Sequence, residues 1–165
     1  MGMCDAFIAE MTQEAETTRK VLSRVPADKL AWKPHDKSMS LGQLSLHVAQ
    51  VPGNVAKMIA QDVTEPPSFG CPQPDTQDEI MAAHDESIAA AKTQLASWDD
   101  SAMAAEWTFS IEGKTMMAMP RAAMVRAIML NHWYHHRGQL TVYLRLLGES
   151  VPSVYGPSAD ENPFG

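Results

Sequence analysis

Proline punctuates this chain in a way that leaves few folds open. Of eleven prolines, only Pro52 falls inside a segment whose apolar residues recur at helical spacing; the others bracket such segments. Proline lacks an amide hydrogen and its ring collides with the preceding turn, so it ends or bends a helix. The proline intervals therefore predict the helices. The first runs from about Asp5 to Arg24, with Phe7, Met11, Ala15, Thr18 and Leu22 on one face, and Pro26 closes it. A linker through Trp32, Pro34 and His35 leads to a second helix from about Ser40 to Gln61. Its start carries a capping box, Ser40 with Gln43 three residues on, and Leu44, His47, Val51 and Met58 form its apolar stripe. Pro52 predicts a kink within it.

The segment from Glu65 to Pro74 holds four prolines and reads as a loop. Thr76 and Glu79 suggest a second capping box, opening a third helix with Ile80, Ala83, Ile88, Ala91 and Leu95 inward. Between Trp98 and Met119 the helical period weakens. Trp107 to Ile111, Glu112-Gly113 and Lys114 to Met116 alternate as a short hairpin would. Pro120 occupies a first-turn position, and the fourth helix runs to Leu147 with Gly148 as its stop. A proline- and glycine-rich tail follows from Val151 to Gly165. Four long helices with irregular connections predict an all-α fold, a four-helix bundle with a short hairpin before the last helix, built as one domain over 1–165.

Composition narrows the function classes. The 165 residues are 45% hydrophobic and 20% charged, an ordinary globular balance, and the formal net charge is -7. An acidic chain repels nucleic acid and anionic membranes, so neither is an expected partner. Cys4 and Cys71 lie far apart without a CxxC, which excludes a disulfide framework and a cysteine zinc knuckle. The longest apolar stretches fall short of the roughly 20 residues a membrane span needs, and no leader pattern is visible; the expected location is cytoplasmic. No phosphate loop, dinucleotide fingerprint or nucleophile elbow is present.

The surplus lies in histidine: three of six sit between positions 132 and 136. Residues at i and i+4 share a helix face, so His132 and His136 can place two imidazoles on one ion. His135, at i+3 from His132, competes for the same place, and spacing leaves that choice open. Val125, Ile128, Met129 and Tyr143 share the face of His132 and His136, which directs both toward the core, and His47 lies in the stripe of helix two. A buried imidazole needs polar partners, and a lone one usually finds them in the backbone. One ion would satisfy three nitrogens together and leave a fourth tetrahedral vertex open.

From Arg121 to Leu147 the chain carries four arginines, Arg121, Arg126, Arg137 and Arg145, and no acid or lysine. Two readings follow. Arg137 and Arg145 solvate an outer face, or the helix sets up a positive field favouring a thiolate or carboxylate substrate. Leu130, Tyr134 and Thr141 project away from the histidines and predict a second packing surface, against another helix or a second subunit. His35 and His84 read as surface or packing residues, and the twelve methionines as adaptable core filler.

Three blocks together resemble one family: Leu41-Gly42-Gln43-Leu44-Ser45-Leu46-His47, then His132-Trp133-Tyr134-His135-His136-Arg137-Gly138-Gln139-Leu140, then the tail Val151 to Glu161. In these the chain is similar, over essentially its whole length, to the DinB-like (DinB/YfiT) metalloenzymes. The resemblance implies an up-down-down-up four-helix bundle, a homodimer, and a divalent ion such as zinc or nickel held by His47, His132 and His136. It assigns His135 to the motif but not to the ligands. Gln139, Tyr143, Asn131, Tyr155 and Asp160 are candidates to support the ligands. The resemblance also implies chemistry on a small molecule, either hydrolysis or transfer of a low-molecular-weight thiol to an electrophile. The rival reading is a non-catalytic metal-binding dimer with a stress-related role. A third reading is three core histidines without metal.

Overall fold

The computed structural model describes residues 2–64 and 71–164. The expected loop from Glu65 to Pro74 therefore lies largely outside the described residues. Long helices form where the proline intervals place them: α1 (Met3–Leu22), α2 (Leu41–Ile59) and α3 (Gln77–Ala96). A short α4 (Asp100–Ala104) precedes the last helical rod, which comprises α5 (Arg121–Met124), a π-helical stretch (Val125–His132) and α6 (Trp133–Leu146).

Local chemistry sets the ends. Ser40 Oγ accepts the Gln43 amide at 3.1 Å and Gln43 Oε1 accepts the Ser40 amide at 3.0 Å, the reciprocal box expected for α2. At α3 the box is displaced: Thr76 Oγ1 accepts from the Glu79 amide, but the Glu79 carboxylate reaches back to Asp75 rather than to Thr76. At the end of α6, Gly148 turns left-handed with φ +80, its amide bonds to the Arg145 carbonyl, and the Glu149 amide bonds to the Leu144 carbonyl. That paired geometry satisfies the last orphan carbonyls and stops the helix.

The all-α expectation gains a small sheet of order β1-β2-β3. The predicted hairpin is present as β2 (Glu106–Ile111) and β3 (Lys114–Pro120). Glu112 and Gly113 form its two-residue turn, both at positive φ, the mirror-image turn whose twist matches paired strands. A register shift at Phe109/Ser110 leaves Met116 unpaired between Thr115 and Met117. The unanticipated member is β1 (Val63–Thr64), which pairs in parallel with Thr108 and Phe109 of β2. Two residues carry too little pattern to announce a strand.

Helix α2 packs along α3 and against the π stretch and α6, while α1 lies on α3. Gly53 of α2 meets α3 so closely that a Cβ there would stand 2.8 Å from Ser87 Cα. Trp107 and Trp133 are buried in the common core with Met11, Leu44, Ile80 and Met129. The second surface of the last helix faces α1, where Tyr134 donates to Glu10 at 3.0 Å. No described helix is long and apolar enough to cross a membrane.

Candidate metal centre

Two helices bring three imidazoles together. His47 comes from the first half of α2, His132 ends the π stretch, and His136 lies one turn into α6. π-helical turns recur at functional sites because the extra residue per turn re-aims the side chains around it. Ligand atoms of the three residues all lie within 4.8 Å of one another. His47 Nε2 and His132 Nε2 are 3.2 Å apart, and the ring centroids of His132 and His136 are 4.3 Å apart. Nitrogens bound to a tetrahedral ion at about 2.0–2.1 Å would stand about 3.3 Å apart, which the His47–His132 spacing matches. Among the described residues no fourth histidine, cysteine, aspartate or glutamate joins the group.

The electrostatics suit ligation. Burial, followed by the neighbouring His136 and His132, holds His47 down at about 4. Burial is also the main cause that lowers His132 and His136 below the usual imidazole value. Neutral imidazole is the form that can donate a lone pair to a metal. Gln139 supplies the orientation. Its Oε1 lies 2.7 Å from His136 Nδ1 and can only accept, so Nδ1 carries the hydrogen and Nε2 is left as the donor atom.

The three histidines border a cavity of about 800 Å³. Met39, Leu46, Val51, Val55, Met58 and Ile128 supply apolar wall, and the exposed Cys71 sits at its margin. Gln43 donates from Nε2 to the Cys71 carbonyl at 2.8 Å, so the residue that caps α2 also fixes this edge.

The structure separates the remaining expectations. His135 is exposed and stays outside the group, its ring 5.0 Å from that of His136. Of the supporting candidates, Gln139 alone touches a histidine of the group. Tyr143 donates to the Met39 carbonyl at 3.3 Å, and Asn131 is exposed. Asp160 pairs with Arg145 and accepts the Val151 amide, and Tyr155 donates to Glu14 at 2.9 Å; both secure the tail. His35 accepts the Lys37 amide in the linker, and His84 is buried in α3 beside Asp85.

The positive-field reading of the last helix is overturned. Each of its arginines is paired with an acid from another element: Arg121 with Asp62, Arg126 with Glu10, Arg137 with Glu14 and Arg145 with Asp160. The solvating reading fails for Arg137, which is 2% exposed and packs between the rings of Tyr134 and Tyr155. Pairing partners distant in sequence carry no local signal, so composition left both readings open and showed none of the ion pairs.

A mostly helical fold that converges three neutral imidazoles on an apolar cavity defines a class of candidate metal-binding proteins. The chain matches the DinB family over residues 3–162 and belongs to it. It is 26% identical over 162 residues to the uncharacterized protein YrdA of Bacillus subtilis strain 168, covering 95% of this chain and 90% of that one. Two crystal structures share the fold. A DinB-like protein from Bacillus cereus ATCC 10987 superposes with a TM-score of 0.73 at 23% identity, covering 92% of this chain and 97% of the other. The DinB-like protein YjoA of Bacillus subtilis gives 0.70 at 16% identity, covering 91% and 97%.

Proposed function

We propose that this chain is a metal-dependent enzyme in which His47, His132 and His136 hold a divalent ion, zinc or nickel, at the wall of the cavity. The observation that carries this reading is that three imidazoles converge with no fourth histidine, cysteine or carboxylate among the described residues, and all three line the cavity. A structural site would be closed by protein on all sides. The rival, a non-catalytic module tying α2 to α6, has no use for an 800 Å³ cavity at its ion.

When bound, such an ion lowers the pKa of a coordinated water or thiol and so supplies a nucleophile near neutral pH. The chain's own residues do the rest. Gln139 holds the His136 tautomer, burial keeps the imidazoles unprotonated, and the apolar walls exclude competing water. The substrate is a small electrophile, attacked by water in hydrolysis or by a low-molecular-weight thiol in transfer. The same reading takes the four long helices as an up-down-down-up bundle and the working form as a homodimer.

Metal analysis of the full chain purified without an affinity tag tests the proposal. The expected result is one ion per chain, lost in His47→Ala and in His132→Ala. Absence of a stoichiometric ion, with metal uptake unchanged by His132→Ala, would leave three core histidines and overturn it.

A further inference from the structure

One line of α2 side chains is polar where the helix borders the cavity. Gln43, His47, Gln50, Asn54 and Lys57 recur at spacings of four and three, which places them on one face, and all five line the cavity. Leu46 and Val51 flank that line on either side. One side of the cavity is thus a polar track between apolar residues, running from the histidine group out to the exposed Asn54 and Lys57.

The chemistry changes along the track. Gln43 is fully engaged, with Ser40 and with the Cys71 carbonyl. Beyond His47 the side chains of Gln50, Asn54 and Lys57 make no hydrogen bond or ion pair among the described residues. Lys57 contrasts with the last helix, where all four arginines are matched to acids. No aspartate or glutamate lines the cavity among the described residues, so Lys57 is its one fixed cation there. Ten residues of helix separate Lys57 from His47, a rise of about 15 Å.

Resting on the reading that the histidines hold a metal ion, we infer that the cavity takes an elongated small molecule with an apolar body and one anionic end. Its reacting end lies at the histidine group, its apolar body lies along Leu46, Val51 and Met58, and its anionic end meets Lys57. Gln50 and Asn54 offer carboxamide donors and acceptors to polar atoms partway along. A ligand too short to bridge the track would use one end of the cavity and be indifferent to Lys57.

The experiment has two arms on the full chain. In the first, decanoate and decanol are titrated calorimetrically into the protein and into Lys57→Met, with no demand on the metal. The expected result is that decanoate binds more tightly than decanol to the wild type, and that Lys57→Met weakens decanoate about fivefold while leaving decanol unchanged. In the second arm, the cobalt-loaded protein is titrated with ω-mercaptoundecanoate, with its terminal alcohol analogue and with the short mercaptopropionate, following the visible absorption of the cobalt. The long acid should outcompete the long alcohol in the wild type but not in Lys57→Met, whereas mercaptopropionate should bind both proteins alike. Equal affinities of acid and alcohol, or a Lys57→Met variant that weakens both alike, would overturn the inference. Failure to retain cobalt would instead overturn the metal reading, and the first arm would still decide the anionic end.

Discussion

Trp133 donates its indole N–H to the carbonyl of Val48 at 2.8 Å. Val48 lies four residues before Pro52 and is therefore the acceptor that the missing proline amide leaves without its helical donor. The last helical rod thus completes the hydrogen bonding of α2 at the residue after His47, from the residue after His132. Phenylalanine at position 133 would fill much of the space without the donor, so Trp133→Phe should cost about 1–3 kcal/mol in urea unfolding. Restoring the backbone donor with Pro52→Ala should recover part of that loss, and a double-mutant cycle should show about 1 kcal/mol of coupling. Additive effects would mean that the two residues act independently.

The contact between Gln139 and His136 makes a second prediction. Gln139→Leu removes the acceptor that holds the ring, and chelator competition should show metal affinity reduced about 10–100-fold. Gln139→Glu keeps an acceptor and should bind at least as tightly as the wild type. His135→Ala should leave affinity unchanged, since that ring is outside the group.

Arg137 and Glu14 form a buried pair at 2.7 Å, and the arginine also donates to Thr18 and to Tyr155. Arg137→Met strands a buried carboxylate and should destabilise the fold by about 3–5 kcal/mol. The double variant with Glu14→Gln should be more stable than Arg137→Met alone. Equal stability of the single and double variants would show that the charge of Glu14 carries no penalty.

His84 has one nitrogen beside Asp85, while its Nε2 is buried without a hydrogen-bond partner among the described residues. Burial lowers its pKa from the usual 6.5. The unfolded chain therefore takes up a proton at this residue at higher pH than the folded chain does. That makes its contribution to stability complete above about pH 6.5 and progressively lost as the solution is acidified. His84→Leu should unfold at equal or higher urea concentration than the wild type at pH 7.5, and its advantage should widen at pH 5.5. A variant less stable at both values would give the buried nitrogen a partner that this account lacks.

Much of this was legible in the residues, for identifiable reasons. Helix intervals follow from proline and from caps that act over three or four positions, so Ser40, Gln43 and Gly148 announce their elements directly. The pairing of His132 with His136 is likewise a property of one helix. His47 stands 85 positions from His132, and only its inward face and the need of a buried imidazole for polar partners linked it to the other two; the family resemblance then excluded His135 from the ligands. What remained hidden depends on contacts between distant segments. The parallel pairing of Val63 and Thr64, the acids that neutralise the four arginines and the indole that serves Val48 leave no periodic trace. The polar line from Gln50 to Lys57 was visible as spacing, but the apolar stripe of the same helix drew the reading to its other residues.

At Gly53 the amide hydrogen is donated to Ser87 Oγ of α3 at 2.8 Å, and the two backbones meet too closely for any side chain at that position. His47 lies on one side of this joint and Lys57 on the other. The helix that carries both ends of the cavity's polar line is therefore seated on α3 at a residue that touches neither. Enlarging Gly53 would push α2 off α3 and move that whole line of side chains as one body, without altering a single group that borders the cavity.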